Sequence, residues 1–208
     1  MALANMLNYG RLCFLGYKTM KKKIAILGST GSIGTSTLDI IRKDKKSFEI
    51  VFLSANNNYA KLVQQAKEFK VKNIFIKNKI FYERVKKSLK NSKTKVYSGD
   101  ISITNIVSKK IDYTMAAIVG VAGLQPTIDA IKISKTVALA NKESIICGWE
   151  ILSKLVKRYK TKIVPVDSEH FSIMELTKDI RDDEVEEIII TASGGPFLNT
   201  SQGKLKNI

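Results

Sequence analysis

Short apolar runs alternate with longer amphipathic stretches through most of this chain, and the alternation predicts strands and helices in turn. Ile24-Ala-Ile-Leu27, entered from Lys23, is apolar at every position, as a strand covered on both faces must be. A glycine-rich turn follows, then a helix through Leu38, Ile40 and Ile41. Residues 48–53 predict a second strand, and Leu62, Val63, Ala66 and Phe69 then recur at helical spacing. The same reading gives a strand over 73–76, a basic helix over 82–89, a weaker strand near Val96 and a helix over 101–107. A strand over 113–117 comes next, with Gly120 and Gly123 punctuating the turn into a helix over 126–133. A strand over 136–139, the longest helix over 144–159 and an apolar run to Val164 complete the series. Strands separated by helix-length connections pair in parallel, so a doubly wound parallel α/β sheet is the economical topology. Beyond an acidic run over 179–187, expected as a solvated turn, one more strand is predicted over 187–191.

At 208 residues the chain can bury one domain and the start of a second, and a hydrophobic share of 44% fits a globular protein. The net charge of +16 raises nucleic acid and membrane surfaces as partners. The lysines are dispersed over helix faces and turns without interleaved aromatics, so a solvated lysine-rich surface is the expectation, with no nucleic-acid and no membrane partner. Cys13 and Cys147 have neither metal-ligand spacing nor a disulfide framework, which suits a reducing, cytoplasmic setting. Cys147 lies in an apolar helical stretch and is expected to be buried. Residues 1–19 are read as a disordered extension or a start-site artefact, with Met20 as the first working residue. Because they lack acidic side chains they also suit a transit peptide, which would move the protein to a plastid.

Five segments carry candidate chemistry. Gly28-Ser29-Thr30-Gly31-Ser32-Ile33-Gly34 sits between a strand and a helix, where a dinucleotide pyrophosphate needs close backbone approach and amides at a helix start. Its hydroxyls and backbone amides are expected to donate to phosphate. After the second strand, an acidic residue would hold the ribose 2′-hydroxyl of NAD and repel a 2′-phosphate. Asn56, Asn57 and Asn58 stand there instead, which favours NADPH. Asn141-Lys142-Glu143 opens the longest helix and reads by itself as a cap followed by first-turn charges. Pro165-Val-Asp167-Ser168-Glu169-His170 delivers two carboxylates at a strand end; alone it reads as a polar loop with a helix cap, or as hard oxygen ligands for Mg²⁺ or Mn²⁺. Ser193-Gly-Gly-Pro196 is a serine in a tight turn.

Taken together and in this order, these segments resemble 1-deoxy-D-xylulose 5-phosphate reductoisomerase, the NADPH- and metal-dependent family of the non-mevalonate route to isoprenoids, from about Lys21 to Phe197. The resemblance implies a Rossmann-type NADPH-binding domain over 20–165 and, over 166–208, the beginning of a second, catalytic α+β domain. It implies that Gly28, Ser29, Thr30, Gly31, Ser32, Ile33, Gly34, Asn56, Asn57 and Asn58 hold the cofactor, with Asn141 and Glu143 near its nicotinamide ribose. Asp167 and Glu169 are the implied metal ligands, and Lys142, Ser168, Glu169 and Ser193 the implied contacts to a phosphorylated sugar. His170 is implied as a supporting donor, equally readable as a cap. A basic residue is common in the family where this chain has asparagine after the second strand. The implied catalytic residues are Lys142, Asp167 and Glu169, the implied reaction is conversion of 1-deoxy-D-xylulose 5-phosphate to 2-C-methyl-D-erythritol 4-phosphate, and the implied assembly is a homodimer. The family's third metal carboxylate, lid and phosphate clamp would fall beyond Ile208, so this chain is expected to be a front half that does not turn over alone. The competing readings are a non-catalytic NADPH-binding fragment or scaffold, and another Rossmann-type reductase. An aldehyde or semialdehyde dehydrogenase would need a nucleophilic cysteine at a turn, which neither Cys13 nor Cys147 provides.

Overall fold

In the computed structural model, residues 20–107 and 110–189 are described. Strands β1 (Lys22–Leu27), β2 (Phe48–Ala55), β3 (Asn73–Ile76), β4 (Lys95–Ser98), β5 (Ile111–Ala116), β6 (Ser134–Leu139) and β7 (Lys162–Pro165) form one sheet. The order is β4-β3-β2-β1-β5-β6-β7, and every neighbouring pair is parallel. Helices α1 (Ser32–Lys43), α2 (Tyr59–Glu68), α3 (Tyr82–Ser88), α4 (Ile103–Ile106), α5 (Leu124–Ile133) and α6 (Lys142–Tyr159) connect them, and α7 (Ser168–Thr177) follows β7. The doubly wound Rossmann-type sheet expected from the strand–helix alternation is therefore present.

The central strand shows why its sequence is apolar throughout. Alternate residues of β1 face opposite sides of the sheet, and both sides are covered. Ala25 and Leu27 share a core with Ile131 of α5 and Leu152 of α6. Ile24 and Ile26, facing the other way, are equally buried, as are Leu38 and Ile41 of α1 and Leu62 of α2. The edge strand β4 has no fully buried residue, as its weaker apolar pattern foretold.

Several boundaries differ from the expected ones, each for a local reason. β2 runs on to Ala55, so Asn56 is the first residue past the strand. α5 starts at Leu124, placing Pro126 in the first turn, where its missing N–H has no intrahelical partner to lose. The helix expected over 101–107 is one turn, capped by Ser102 through the Thr104 amide at 3.1 Å. The strand expected over 187–191 is not formed at residues 187–189; Ile188 and Ile189 are exposed, and among the described residues no strand pairs with them. The remainder of that prediction lies outside the described residues, as do residues 1–19. Cys147 is a correction: it is exposed, because α6 turns Ser144, Gly148 and Leu152 inward and leaves Cys147 on the other side.

The chain divides into two compact units between Phe171 and Ser172. The first contains the sheet. The second holds the end of α7 and a 3-10 turn, Asp182–Glu184, closed by the Glu184 amide on the Arg181 carbonyl at 2.9 Å. That turn is part of the acidic run, and Asp183 and Glu184 are solvent-exposed as expected.

At the amino-terminal edge of the sheet, Asp112 of β5 ties three strands together. Its carboxylate accepts the Lys23 amide of β1 and the Lys135 ammonium of β6, each at 2.8 Å. Burial alone would raise its pKa; the bonds from Lys135 and the Lys23 amide outweigh that and hold it below the usual carboxylate value. A folded-state pKa lowered in this way adds stability above the unfolded value of about 3.9, and that stability is lost as pH falls through the folded-state value. Asp112→Asn should therefore cost about 1 kcal/mol at pH 7 in urea unfolding, with the gap to the parent narrowing below about pH 4. A gap that stayed constant down to pH 2 would show that the charge is not responsible.

Candidate functional site

The strand order reverses between β1 and β5, and there the chain leaves neighbouring strands in opposite directions and opens a crevice at their carboxyl ends. Gly28, at the exit of β1, has φ +80°, and a Cβ there would lie 2.7 Å from the carbonyl oxygen of Ala117 just past β5. Gly34 is closed for a different reason: its Cβ would meet Ser29 Cα at 2.6 Å, because the first turn of α1 lies against the loop. Gly31 is unlike both. It is exposed, its φ of −74° suits any residue, and its Cβ would touch only the Gly28 carbonyl at an ordinary 3.5 Å. The fold itself does not require glycine there, whereas a ligand approaching the backbone would. No side chain caps α1, so its first amides face outward at the positive end of the helix. Ser32 is exposed at this start, and Thr30 and Ile33 are half-buried beside it.

Not every loop residue faces a ligand. Ser29 is fully buried; its hydroxyl donates to Gln65 Oε1 at 2.8 Å and its carbonyl accepts Gln65 Nε2 at 2.9 Å. This corrects the expectation that every loop hydroxyl can donate to phosphate, because the Ser29 side chain is locked to α2. Past β2, Asn58 caps α2 by accepting the Lys61 amide at 3.1 Å, and Asn57 Oδ1 accepts Asn78 Nδ2 at 2.9 Å. Lys61 itself reaches back to donate to the Thr30 carbonyl at 3.1 Å. Asn56, Asn57 and Asn58 are all exposed.

The ends of β6 and β7 build the other wall. Asn141 is 2% exposed and caps α6, accepting the Ser144 amide at 2.8 Å. Its amide nitrogen donates to the Ile118 carbonyl and, at 2.8 Å, to the Gly120 carbonyl. With donor and acceptor both engaged inside the protein, the Asn141 side chain shapes the loop after β5. Lys142 and Glu143, in the first turn of α6, remain accessible. A groove of about 230 Å³ is lined by Ile33, Ala117, Ile118, Val119, Ala140, Lys142, Glu143 and Asp167. It joins the glycine loop, the β5 exit, the β6 exit and the β7 exit in one place.

Asp167 Oδ1 accepts the His170 amide at 2.9 Å and meets His170 Nδ1 at 2.6 Å, so Asp167 holds the start of α7. Partial burial would raise its pKa, but the bonds from the His170 backbone and ring hold it below the ordinary carboxylate range. His170 thus touches Asp167 through both its amide and its ring. Glu169 is exposed, with Oε2 accepting the Ser168 hydroxyl at 3.1 Å, and neither residue lines the groove. Among the described residues no three His, Cys, Asp or Glu side chains converge as a metal cluster. Ser193 lies outside the described residues.

Four groove residues escaped the sequence reading: Ala117, Ile118, Val119 and Ala140 are ordinary apolar residues, and only Gly120 and Gly123 hinted at a special turn nearby. Gln65 was hidden likewise, one polar position on an otherwise apolar helix face.

Comparison with known proteins agrees with this geometry. A family model described as 1-deoxy-D-xylulose 5-phosphate reductoisomerase matches residues 24–149, and the model of that enzyme's C-terminal domain matches residues 163–208. The reductoisomerase of Pelagibacter ubique is 53% identical over 189 residues, covering 90% of this chain and 49% of the relative. That of Wolbachia pipientis from Culex pipiens is 46% identical, covering 90% and 48%. The solved reductoisomerase of Zymomonas mobilis in complex with NADPH superposes with a TM-score of 0.83 at 38% identity, over 91% of this chain and 50% of that one. A second reductoisomerase structure, in complex with NADPH, fosmidomycin and magnesium, gives 0.77 at 33% identity over 90% and 49%. This chain spans about half the length of the curated relatives it matches. With the glycine loop, the groove and the carboxylate turn falling within the matched segments, the chain belongs to the 1-deoxy-D-xylulose 5-phosphate reductoisomerase family.

Proposed function

We propose that this chain supplies the cofactor wall and two metal ligands of a reductoisomerase that converts 1-deoxy-D-xylulose 5-phosphate to 2-C-methyl-D-erythritol 4-phosphate with NADPH. One observation carries the reading: residues from the glycine loop and from the exits of β5, β6 and β7 line a single groove at the sheet's switch point. The uncapped α1 and the side-chain-free space over Gly31 fit a pyrophosphate. The apolar surface of Ile33, Ala117, Ile118 and Val119 suits the face of a nicotinamide ring. Support also comes from relatives whose structures hold NADPH, fosmidomycin and magnesium.

In this reading the pyrophosphate is held by backbone amides from Ser32 through Gly34, while Ser29 and Gln65, and the Gly31 amide on the Gly28 carbonyl, keep the loop rigid. Asn141 fixes the turn against which the ring would lie, and Glu143 is placed to accept a ribose hydroxyl. Lys142 donates to a polarised substrate oxygen by charge-assisted hydrogen bonds. Asp167 and Glu169 offer the hard carboxylate oxygens that Mg²⁺ or Mn²⁺ prefers, and Ser168 stands between them to contact substrate. NADPH when bound supplies the hydride, and the cation the Lewis acidity that stabilises charge on the substrate oxygens. We assign a cofactor domain to 20–165 and the beginning of a catalytic domain to 166–208; the boundary between the two compact units falls a few residues later, after Phe171. Ser193 is assigned to the substrate phosphate by family resemblance alone. A cytoplasmic homodimer is the setting we assign; among the described residues no helix is long and apolar enough to cross a membrane. The dehydrogenase alternative loses its footing at Cys147, which is exposed on α6 and does not line the groove.

Gly31→Asp tests the cofactor wall directly. The substitution has room to fold, yet sets a carboxylate against the pyrophosphate, so calorimetric NADPH affinity should fall at least about 100-fold with circular dichroism unchanged. Parental affinity in this variant would remove the loop from the site. For the cation, titration with Mn²⁺ followed by electron paramagnetic resonance should show weak binding that Asp167→Asn and Glu169→Gln each reduce about tenfold or more. If both variants bind as the parent does, the ligands are elsewhere.

A further inference from the structure

We propose that Lys61 selects NADPH over NADH in this protein, its ammonium serving as the cation for the ribose 2′-phosphate where Asn56, Asn57 and Asn58 offer no charge. The inference rests on the dinucleotide reading above and concerns a residue outside the glycine loop and the three asparagines.

In a sheet of this topology the ribose of the adenosine half lies just past the second strand, beside the glycine loop. Ala55 ends β2, and the asparagines that follow are neutral. Two of them already serve the protein: Asn57 Oδ1 accepts Asn78 Nδ2, and Asn58 caps α2. Lys61, the third residue of α2, is half-buried, and its ammonium lies 3.1 Å from the Thr30 carbonyl in the glycine loop. The side chain therefore bridges the two segments between which the ribose would lie. One ammonium hydrogen serves Thr30, which leaves two for phosphate oxygens.

The charge itself lacks an internal reason. A cation in the first turn of a helix opposes the positive end of that helix's dipole. The first turns of α1 and α2 carry no acidic residue, and among the described residues no carboxylate pairs with Lys61. A lysine fixed between two helix starts breaks the local rule, and departures of that kind collect at functional sites. An anion arriving there would meet both helix starts and the ammonium together.

A purely structural role, tying α2 to the glycine loop, makes a different forecast, and three variants separate the two. Lys61→Gln keeps a donor for Thr30 without charge, Lys61→Met keeps the apolar stem alone, and Lys61→Arg keeps the charge. Calorimetric titration of each, and of the parent, with NADPH and with NADH gives the affinities. Lys61→Gln and Lys61→Met should weaken NADPH about 10- to 100-fold and leave NADH within about twofold, while Lys61→Arg stays near the parent. Equal losses for both cofactors, an unchanged NADPH-to-NADH ratio, or a parent that does not prefer NADPH would each overturn the proposal. A parent that binds neither cofactor overturns the dinucleotide reading, and this proposal with it.

Discussion

The site depends on how closely two neighbouring strands release their chains. Gly28 leaves β1 in a left-handed conformation while the Ala117 carbonyl occupies the position a Cβ would need. The glycine loop can therefore lie directly against the β5 exit, and α1 can begin within hydrogen-bonding reach of whatever enters the crevice. Gly34 repeats the constraint one turn later, letting α1 sit down on the loop. Relax either contact and the groove loses its floor, because Ile33 and Ala117 line it together.

Around that contact the protein uses buried polar groups as clamps. Gln65 holds both the hydroxyl and the carbonyl of Ser29, and Asn141 holds two carbonyls of the loop after β5 while capping α6. In a low-dielectric interior such bonds cost little once satisfied and much when broken, so each fixes one loop geometry. Residues that resemble ligand contacts in sequence thus divide into two kinds. Ile33, Lys142 and Glu143 present surface to the groove, whereas Ser29 and Asn141 hold the surface in place.

The carboxylate turn follows similar logic on a more exposed element. Asp167 is preorganised by the His170 amide and ring, which favour its ionised form. Glu169 accepts the Ser168 hydroxyl and faces solvent. One carboxylate is thus held in place and the other is adjustable, an arrangement suited to a hard cation that also takes oxygens from its substrate.

The sequence by itself determined the sheet. Apolar runs at β1 and β2 and helical spacing at α1 and α2 reflect burial on both faces, a pattern local enough to read directly. The glycine spacing and the order of the polar motifs likewise located the crevice and the family. Only the tertiary structure decided which side chains face into it. Ser29 and Ser32 are alike as letters, yet one is buried against Gln65, thirty-six residues on, and the other is exposed. Cys147 was misjudged because an apolar stretch on a helix does not say which side the core will occupy. The link from Lys61 to Thr30 was invisible for the same reason: it is a long-range contact that exists only once β1 and β2 lie side by side.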